Sequence, residues 1–443
     1  MVQNSIKNII PVLFQLAVTI VKAQQMPSIV QLNNVEEAIE YAINNNADLK
    51  IQHLNREKSN ANYKASLSHW YPVVSGSFTG QENLSLGTTV LPGEIFGKPG
   101  ETIEARFGKK YNYNAGLNAS MSLWDWSAIM KSRIADNEIK IAGAQEEAYK
   151  QTLTEQVILH YYLCLIFKWA IQIGVTDYET VADILKITQE KFNQGLVNKI
   201  EINSAEINLN NIEQNLIKNT HLLEDYKFKL QILLGLPFTT IIEFNEDIKF
   251  SNPGIDYSGE LSFDKNLQLY ELQVRKSNLD VKFHKSLFYP ELSLGSYIGK
   301  QQFRDDFGLS FSSGSWKNLS NISLKLSIPV FTGFANKHQL KASKINERIA
   351  EETFYNEEQK SIINDELLLQ EYESSLQISE VAYKNFLLAD DNVKLSFQKY
   401  EQGIIGLEMY LKLFDDYLTA ENNYLNTLSN LYGYYATLQS RNK

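Results

Sequence analysis

The chain has 443 residues, of which 44% are hydrophobic and 21% charged, an ordinary balance for a folded protein. Its formal net charge of -10 argues against nucleic acid as a partner. Its single cysteine, Cys164, excludes a disulfide bond within the chain, and its length allows roughly two or three domains.

Residues 1–23 are typical of a secretory signal peptide, with an ordinary N-terminal helix as the alternative. Lys7 supplies the positive charge, a mostly apolar run follows, and Val21 and Ala23 stand at the cleavage positions. Cleavage would leave Gln24 first, so we expect no lipid anchor on a terminal cysteine. No later segment holds about eighteen consecutive apolar residues, so we expect no transmembrane helix.

The mature chain begins with a helix and a strand. Residues 33–69 have helical periodicity, and Asn34 is placed to cap the helix. Trp70-Tyr71-Pro72 ends it. A loosely alternating strand is predicted at 73–82, and the residues from 83 to 110 are rich in Gly and Pro, which predicts a long loop.

A second strand and a very long helix follow. Residues 111–123 alternate strictly between apolar and polar side chains, the pattern of a strand with two different faces. Helical periodicity then continues to Phe192, over some 66 residues, which corresponds to a helix of roughly 100 Å. Asn193-Gln194-Gly195 ends that helix.

The remainder of the chain repeats this pattern after a further helix. Apolar residues spaced alternately three and four apart from Ile202 onwards predict a coiled-coil helix. In chain order we predict a helix at 199–236, an irregular segment at 238–263, a helix at 264–288, a strand at 291–301, a loop at 302–317, a strand at 319–331, a helix at 334–400 and a final helix that carries Glu421 on its coiled-coil seam.

Matched spacings indicate an internal duplication. Trp124 and Gly195 are 71 positions apart, and the equivalent Phe331 and Gly403 are 72 apart. The loops between the strands differ in length, as expected for exposed connections. We therefore divide the chain into the signal peptide at 1–23, a first repeat at 24–237, an irregular mid-rod linker at 238–263 and a second repeat at 264–443.

Four predicted strands cannot close a barrel, and lipid does not tolerate an open sheet edge. Two chains would supply eight strands with a filled interior, whereas three would supply twelve with room for a lumen. The polar strand faces would line the lumen, and aromatic residues at the junctions of strands and helices would form an interfacial belt. The lumen-facing candidates are Asn114, Asn118, Ser120 and Lys325, and the belt candidates are Trp70, Trp124, Trp126 and Phe331.

In these features the sequence resembles the TolC-type outer-membrane efflux proteins. The resemblance rests on Tyr71-Pro72 and Tyr289-Pro290 before the strands, on residues 328–333 after the fourth strand, and on two aromatic-x-Gln-Gly turns. It implies a mainly α protein with transmembrane β-strands. It also implies a trimeric twelve-stranded outer-membrane barrel, four strands per chain, continued by a long periplasmic α-helical coiled-coil tunnel.

The resemblance also implies a function and partners. The protein would be the exit duct for an inner-membrane pump or ABC transporter and would dock onto a periplasmic adaptor protein. Docking would use the two turns at the tips of the helices, which occur at matched distances in the two repeats. A simple left-handed helix end also explains the glycines and is compatible with docking. The tip residues are Gln194, Gly195, Leu196, Gln402, Gly403 and Ile404.

Glu201 matches the position of an acidic gate residue at the closed aperture of the family. The second repeat departs from this pattern, because Met409 and Lys412 stand where acids are expected. An exposed acid on a helix remains the alternative interpretation of Glu201.

The sequence holds no pattern typical of an enzyme. The six histidines form no metal-spaced pair, and no Gly-rich phosphate loop follows a strand. We therefore expect no metal, no cofactor and no catalysis. A periplasmic coiled-coil adaptor or scaffold without a barrel is the second hypothesis, since heptads alone allow it. The sequence does not indicate the transported substrate, because a wide, water-filled lumen selects weakly and the pump would select the substrate.

Overall fold

The computed structural model describes residues 29–97, 99–248, 261 and 264–442. The predicted signal peptide at 1–23 lies outside the described residues, as do 249–260 and 262–263 of the predicted linker. Within the described residues the helices are α1 (Val35–Asn45), α2 (Ala47–Ser66), α3 (Trp126–Asn193), α4 (Lys199–Leu234), α5 (Lys265–Ser286), α6 (Ala335–Glu401) and α7 (Leu407–Asn442). The strands there are β1 (Ile29–Leu32), β2 (Val73–Glu82), β3 (Thr88–Pro92), β4 (Thr102–Arg106), β5 (Tyr111–Trp124), β6 (Ile241–Phe244), β7 (Glu291–Arg304) and β8 (Lys317–Ser327).

The predicted helix at 33–69 is two helices, α1 and α2, separated at Asn46. Asn34 caps α1 as predicted, since its side-chain oxygen accepts a hydrogen bond from the Glu37 N–H at 2.8 Å. Asn46 leaves the helical conformation, and its side-chain oxygen accepts from the Leu49 N–H at 2.9 Å. Its amide also donates to the Leu233 carbonyl at 2.9 Å. This long-range bond explains a break that the local pattern does not reveal.

The two longest helices lie where the sequence predicts them. α3 has 68 residues and α6 has 67, and each is followed by a helix of 36 residues, α4 and α7 respectively. Each long helix also follows two strands of one four-stranded sheet, β2 and β5 in the first case and β7 and β8 in the second, with the short strands β3 and β4 inserted between β2 and β5. Apart from this insertion, the order of helix, strand, strand, long helix and shorter helix occurs twice. The repeated order supports an internal duplication, and the exact bounds of the repeats remain a prediction.

Four strands form one antiparallel sheet in the order β2-β5-β7-β8. The predicted fourth strand at 319–331 is wrong at its end, because β8 stops at Ser327 and Pro329 has no N–H to donate to the sheet. The predicted loop at 83–110 contains a hairpin of β3 and β4. The predicted loop at 302–317 is shorter than expected, because β7 extends to Arg304 and β8 begins at Lys317.

The predicted irregular segment at 238–263 contains a short strand. β6 pairs in parallel with β1, with Ile29 opposite Ile241 and Leu32 opposite Phe244. Ile242 and Phe244 are buried while the residues beside them are exposed, which is the alternation expected of a strand with one buried face. Four residues give too short a pattern to predict, and the partner strand lies more than 200 residues away.

The chain forms two compact units. The helical unit comprises the described residues up to Leu54 together with Ala144–Gln268 and those from Asn356 onwards, and the sheet unit comprises Asn55–Gly143 and Leu269–Tyr355. The helical unit has an apolar core in which side chains of the predicted seam of α7 are buried. These are Phe414, Leu425, Leu428, Tyr432 and Tyr435.

By length and composition α3 is apolar enough to cross a membrane, with a mean hydropathy of 1.5 over an 18-residue window of which 44% is buried. Val157, Ile158 and Tyr161 of this helix are fully buried in the core of the helical unit. A core helix passes the same compositional test as a membrane-spanning one. We therefore interpret α3 as a core helix.

Candidate functional site

The two predicted tip turns have the same backbone geometry. Gly195, which follows α3, has φ 76°, and Gly403, which follows α6, has φ 73°. The N–H groups of Leu196 and Ile404 each donate to the carbonyl five residues earlier, at 2.9 and 2.8 Å. This pattern ends a helix with a left-handed residue, a conformation that glycine adopts without steric penalty.

The side chains that follow these glycines are exposed and apolar. Leu196 is 69% exposed and Ile404 is 64% exposed. Gln194 and Gln402 are exposed beside them. Each turn of the helical unit thus presents one large apolar side chain with a polar neighbour, an arrangement suited to contact with another protein.

A lysine links the two turns within one chain, a feature that the sequence reasoning missed. The Lys191 Nζ, in the last turn of α3, donates to the Tyr400 carbonyl in α6 at 2.9 Å. The same Nζ lies 3.8 Å from the centre of the Tyr400 ring, within cation–π range. The Tyr400 hydroxyl also lies 2.8 Å from the Thr188 hydroxyl. The first repeat has Phe192 at the position equivalent to Tyr400. The additional hydroxyl of Tyr400 was the sequence feature that could have indicated this link.

Glu201 lies in the first turn of α4, which Asn198 caps. Burial raises the pKa of the Tyr400 phenol, and the negative charge of nearby Glu201 raises it further. Glu201 is therefore close to the linked turns. Met409 and Lys412 in the second repeat are both exposed and supply no acid. The gate role of Glu201 stays a prediction.

The strand register places the predicted lumen-facing residues on one face of the sheet. Directly opposed residues of antiparallel strands point to the same side. Ser120 of β5 lies opposite Gly295 of β7, and β8 continues the same pairing pattern. The Asn118 amide donates to the Ser77 hydroxyl of β2 at 2.8 Å across this face. The residues that share it are Asn114, Asn118, Ser120 and Lys325.

The opposite face of the sheet is apolar and exposed. Leu117 lies opposite Gly76 on one side and Ile298 on the other. Its side chain is 57% exposed, and large apolar side chains of β7 and β8 on the same face are exposed too. These are Ile298, Ile322, Leu324 and Leu326. Such an apolar face of an antiparallel sheet is typical of a lipid-facing surface.

Aromatic side chains gather where the strands meet the helices. Trp124 and Trp126 are in edge contact, with ring centroids 5.7 Å apart. Trp70 and Trp124 are exposed, and Trp126 is half-buried. Phe331 is exposed as well, but it lies in the connection after β8 rather than on the predicted strand.

Three further aromatic residues at these junctions were not among the predicted belt residues. Tyr71 and Tyr289, which precede β2 and β7, are exposed. Phe334 is exposed and in edge contact with Phe331, with ring centroids 5.4 Å apart. Their position beside the Tyr-Pro pairs and after β8 was the signal that could have identified them.

Comparison with known proteins identifies the family. A sequence profile described as outer membrane efflux protein matches residues 38–236. The cation efflux system protein CusC of Escherichia coli O157:H7 is 23% identical over 370 residues, which cover 78% of this chain and 75% of that protein. The match places residues 38–236, just under half of the chain, in the outer membrane efflux protein family.

Solved structures of outer-membrane channels share the fold. The CmeC outer membrane channel of Campylobacter jejuni matches with a TM-score of 0.70 and 20% identity, covering 92% of this chain and 85% of that chain. The open state of the MtrE outer membrane channel of Neisseria gonorrhoeae matches with a TM-score of 0.72 and 17% identity, covering 92% and 88%. These structures confirm the fold class predicted from the sequence. The profile match and the relatives support the predicted family and outer-membrane location.

The helical unit of this efflux protein buries two acidic side chains that the sequence reasoning did not single out. Asp177 of α3 and Glu421 of α7 are only 8% and 6% exposed. The Tyr417 hydroxyl donates to the Asp177 carboxylate at 3.2 Å. Burial raises the pKa of Asp177 to about 7. Burial, together with the negative charge of Asp177, raises the pKa of Glu421 to about 8. The position of Glu421 on the predicted apolar seam of the final helix was the sequence feature that could have indicated a buried acid.

We expect this acid pair to make stability fall as the pH rises. In the unfolded chain the pKa values of Asp177 and Glu421 are near 3.8 and 4.5. From about pH 4 to about pH 8 the unfolded state therefore releases protons that the folded state retains, which favours unfolding. Replacement by Asp177→Asn and Glu421→Gln should therefore raise the melting temperature at pH 9 and leave it nearly unchanged at pH 4. Thermal melting of the detergent-purified protein across pH checks this. A larger gain at pH 4 than at pH 9 would contradict it.

The matched family and fold are those of transport channels rather than of enzymes. Among the described residues no group of three or more His, Cys, Asp or Glu side chains is arranged to hold a metal ion. Cys164 is fully buried in the core, and burial raises the pKa of its thiol to about 12. A thiol that is buried and protonated is unreactive.

Proposed function

We propose that the chain is the outer-membrane exit duct of a tripartite efflux or secretion system. It would pass substrates from an inner-membrane pump and a periplasmic adaptor to the exterior. The observation that carries this proposal is the four-stranded sheet, which has one polar face and one exposed apolar face in register across all four strands. A sheet that separates lipid from a wet interior requires these two faces.

The working form of the duct is a homotrimer. β2 and β8 are the edges of the four-stranded sheet, and each has an unpaired side. In lipid an open edge leaves backbone N–H and C=O groups without partners, so the edges must pair with neighbouring chains. Three chains give twelve strands, which leave room for a lumen, whereas eight strands are filled by side chains.

We expect the purified protein to have three times the mass of the mature chain. The reason is the need to pair both sheet edges while leaving a lumen open. Mass measurement in detergent, or cross-linking in membranes, checks the number of chains. A stable monomer or dimer in mild detergent would contradict the twelve-stranded arrangement.

The two linked turns are the docking surface for the adaptor. They present Leu196 and Ile404 at exposed helix ends, and Lys191 holds the two turns together within a chain. The pump behind the adaptor would be an inner-membrane pump or ABC transporter. The relatives are named for different cargoes, one for cations and another for toxins and drugs. This variety fits a duct whose substrates are selected by its pump.

Membrane fractionation separates this proposal from a periplasmic scaffold. The duct should be found in the outer-membrane fraction and should be released only by detergent, because the exposed face around Leu117 contacts lipid. A scaffold built on the helices alone would be released with the soluble periplasmic proteins. Release of the protein without detergent would contradict the proposal that the chain is an outer-membrane duct.

A further inference from the structure

Basic side chains are concentrated at the helix ends nearest the sheet. The relevant segments are the last eight residues of α2 and α5 and the first eight of α3 and α6, all within the sheet unit. They contain one acid, Asp280, although the chain as a whole has a net charge of -10. We name the basic residues of these segments the basic collar, which comprises Lys64, Lys131, Arg133, Lys282, Lys285, Lys337 and Lys341.

The basic collar is exposed and has no acidic partners. All seven side chains belong to exposed residues, and no carboxylate of the described residues lies within ion-pair distance of them. Basic residues slightly further from the sheet differ in this respect. Lys140 pairs with Asp136 at 3.1 Å, and Lys276 pairs with Glu138 at 3.0 Å. Among the described residues, the helix ends nearest the sheet thus lack such ion pairs, which leaves the positive charge of the basic collar uncompensated.

Part of the collar lines a groove between α3 and α5. Arg133 and Lys282 stand on it together with Arg275 and Asn278, around a volume of about 350 Å³. The acid at this groove, Asp136, is already paired with Lys140. Guanidinium and ammonium groups with a neighbouring amide are the donors that bind phosphate oxygens. The groove therefore fits a phosphate-bearing group better than a carboxamide or a cation.

The collar is continuous with the aromatic residues at the strand–helix junctions. Trp124 is two residues before α3, and Tyr289 follows the end of α5 by three residues. Exposed aromatic rings of this kind lie at the level of lipid headgroups. Arg133 lies about 10 Å along α3 from its first residue. This distance is about one Debye length at 0.1 M salt, which is about 10 Å.

We propose that the basic collar binds anionic phospholipid headgroups in the leaflet that faces the helices. This inference rests on the proposed function, because it requires the sheet to lie in the membrane. Basic residues next to a membrane-spanning segment attract anionic lipid electrostatically. Three copies around a barrel would form a ring that fixes the depth of the channel in the membrane.

Lipid retention by the purified protein tests the collar. The protein is inserted into nanodiscs that contain equal amounts of phosphatidylglycerol and phosphatidylcholine, then moved to detergent, and the bound lipids are counted by native mass spectrometry. We expect the wild type to retain phosphatidylglycerol in about fivefold excess, with the excess lost at high salt. The triple variant Arg133→Gln, Lys282→Gln, Lys337→Gln should retain the two lipids equally.

A matched control removes three exposed lysines of the helical unit, through Lys186→Gln, Lys218→Gln and Lys384→Gln. The control should retain the wild-type excess of phosphatidylglycerol. An unchanged excess of phosphatidylglycerol in the collar variant would overturn the proposal. So would a collar variant whose conductance changes its anion selectivity while its bound lipids stay the same, because the collar would then line the lumen. Failure of the wild type to enter discs with or without phosphatidylglycerol would overturn the membrane assignment and the collar with it.

Discussion

Leu117→Arg should prevent assembly of the barrel, whereas Asn118→Arg should be tolerated. Leu117 is at mid-strand on the exposed apolar face, opposite Ile298. A charge that faces lipid near the middle of the bilayer costs about 2–4 kcal/mol, and the cost is paid in every chain of an oligomer. Asn118 is adjacent along the strand but points to the polar face, where its amide bonds with Ser77. An arginine there would face water.

The two variants form a matched pair, since they add the same side chain at neighbouring positions of one strand. The amount of oligomer in the outer-membrane fraction, resolved by electrophoresis without heating, is the measurement. We expect little or no oligomer for Leu117→Arg and wild-type amounts for Asn118→Arg. Equal assembly of both variants would rule out the assignment of the two faces.

Gly403→Val and Leu196→Asp should abolish export while leaving the protein folded in the outer membrane. At φ 73° a β-branched residue is strongly disfavoured, so valine should distort the turn after α6. The strain is conformational, because a Cβ at Gly403 would meet no atom within 4 Å. Leu196→Asp replaces an exposed apolar side chain with a charge and should weaken the contact with the adaptor.

Two controls separate docking from general damage. Gly406 is nearby and equally open, but its φ is not positive, so Gly406→Val should preserve more function than Gly403→Val. Asn193→Asp adds a negative charge beside the first turn without removing the apolar group. Export and cross-linking to the adaptor are measured in cells together with the amount of oligomer. Full export by both Gly403→Val and Leu196→Asp would show that docking occurs elsewhere.

The features that the sequence predicts well are those set by long periodic patterns. The helix predicted to end near Phe192 ends at Asn193, because nearly seventy residues of 3.6-residue periodicity leave little ambiguity. The strand at 111–123 was equally clear from its alternation, and the structure extends it by one residue. The turns at Gly195 and Gly403 followed from glycine's tolerance of positive φ.

The features that the sequence did not predict depend on contacts between distant segments. The break at Asn46 depends on a bond to Leu233, and β1 is a strand because β6 lies beside it. Asp177 and Tyr417 come together from different helices, 240 residues apart. No local pattern contains such information. The early end of β8 is different, because Pro329 was visible and its missing N–H predicts the end of a strand.

Chemical modification of a single cysteine during conductance recording tests the central claim most directly. The native Cys164 is fully buried, so it should not react in the folded protein. In planar bilayers the Asn118→Cys protein should conduct, and a charged water-soluble thiol reagent should change its conductance in steps, because residue 118 lines the aqueous path. Leu117→Cys should conduct without responding to the reagent. An absence of conductance in both proteins, or an equal response of both cysteines, would contradict an exit duct.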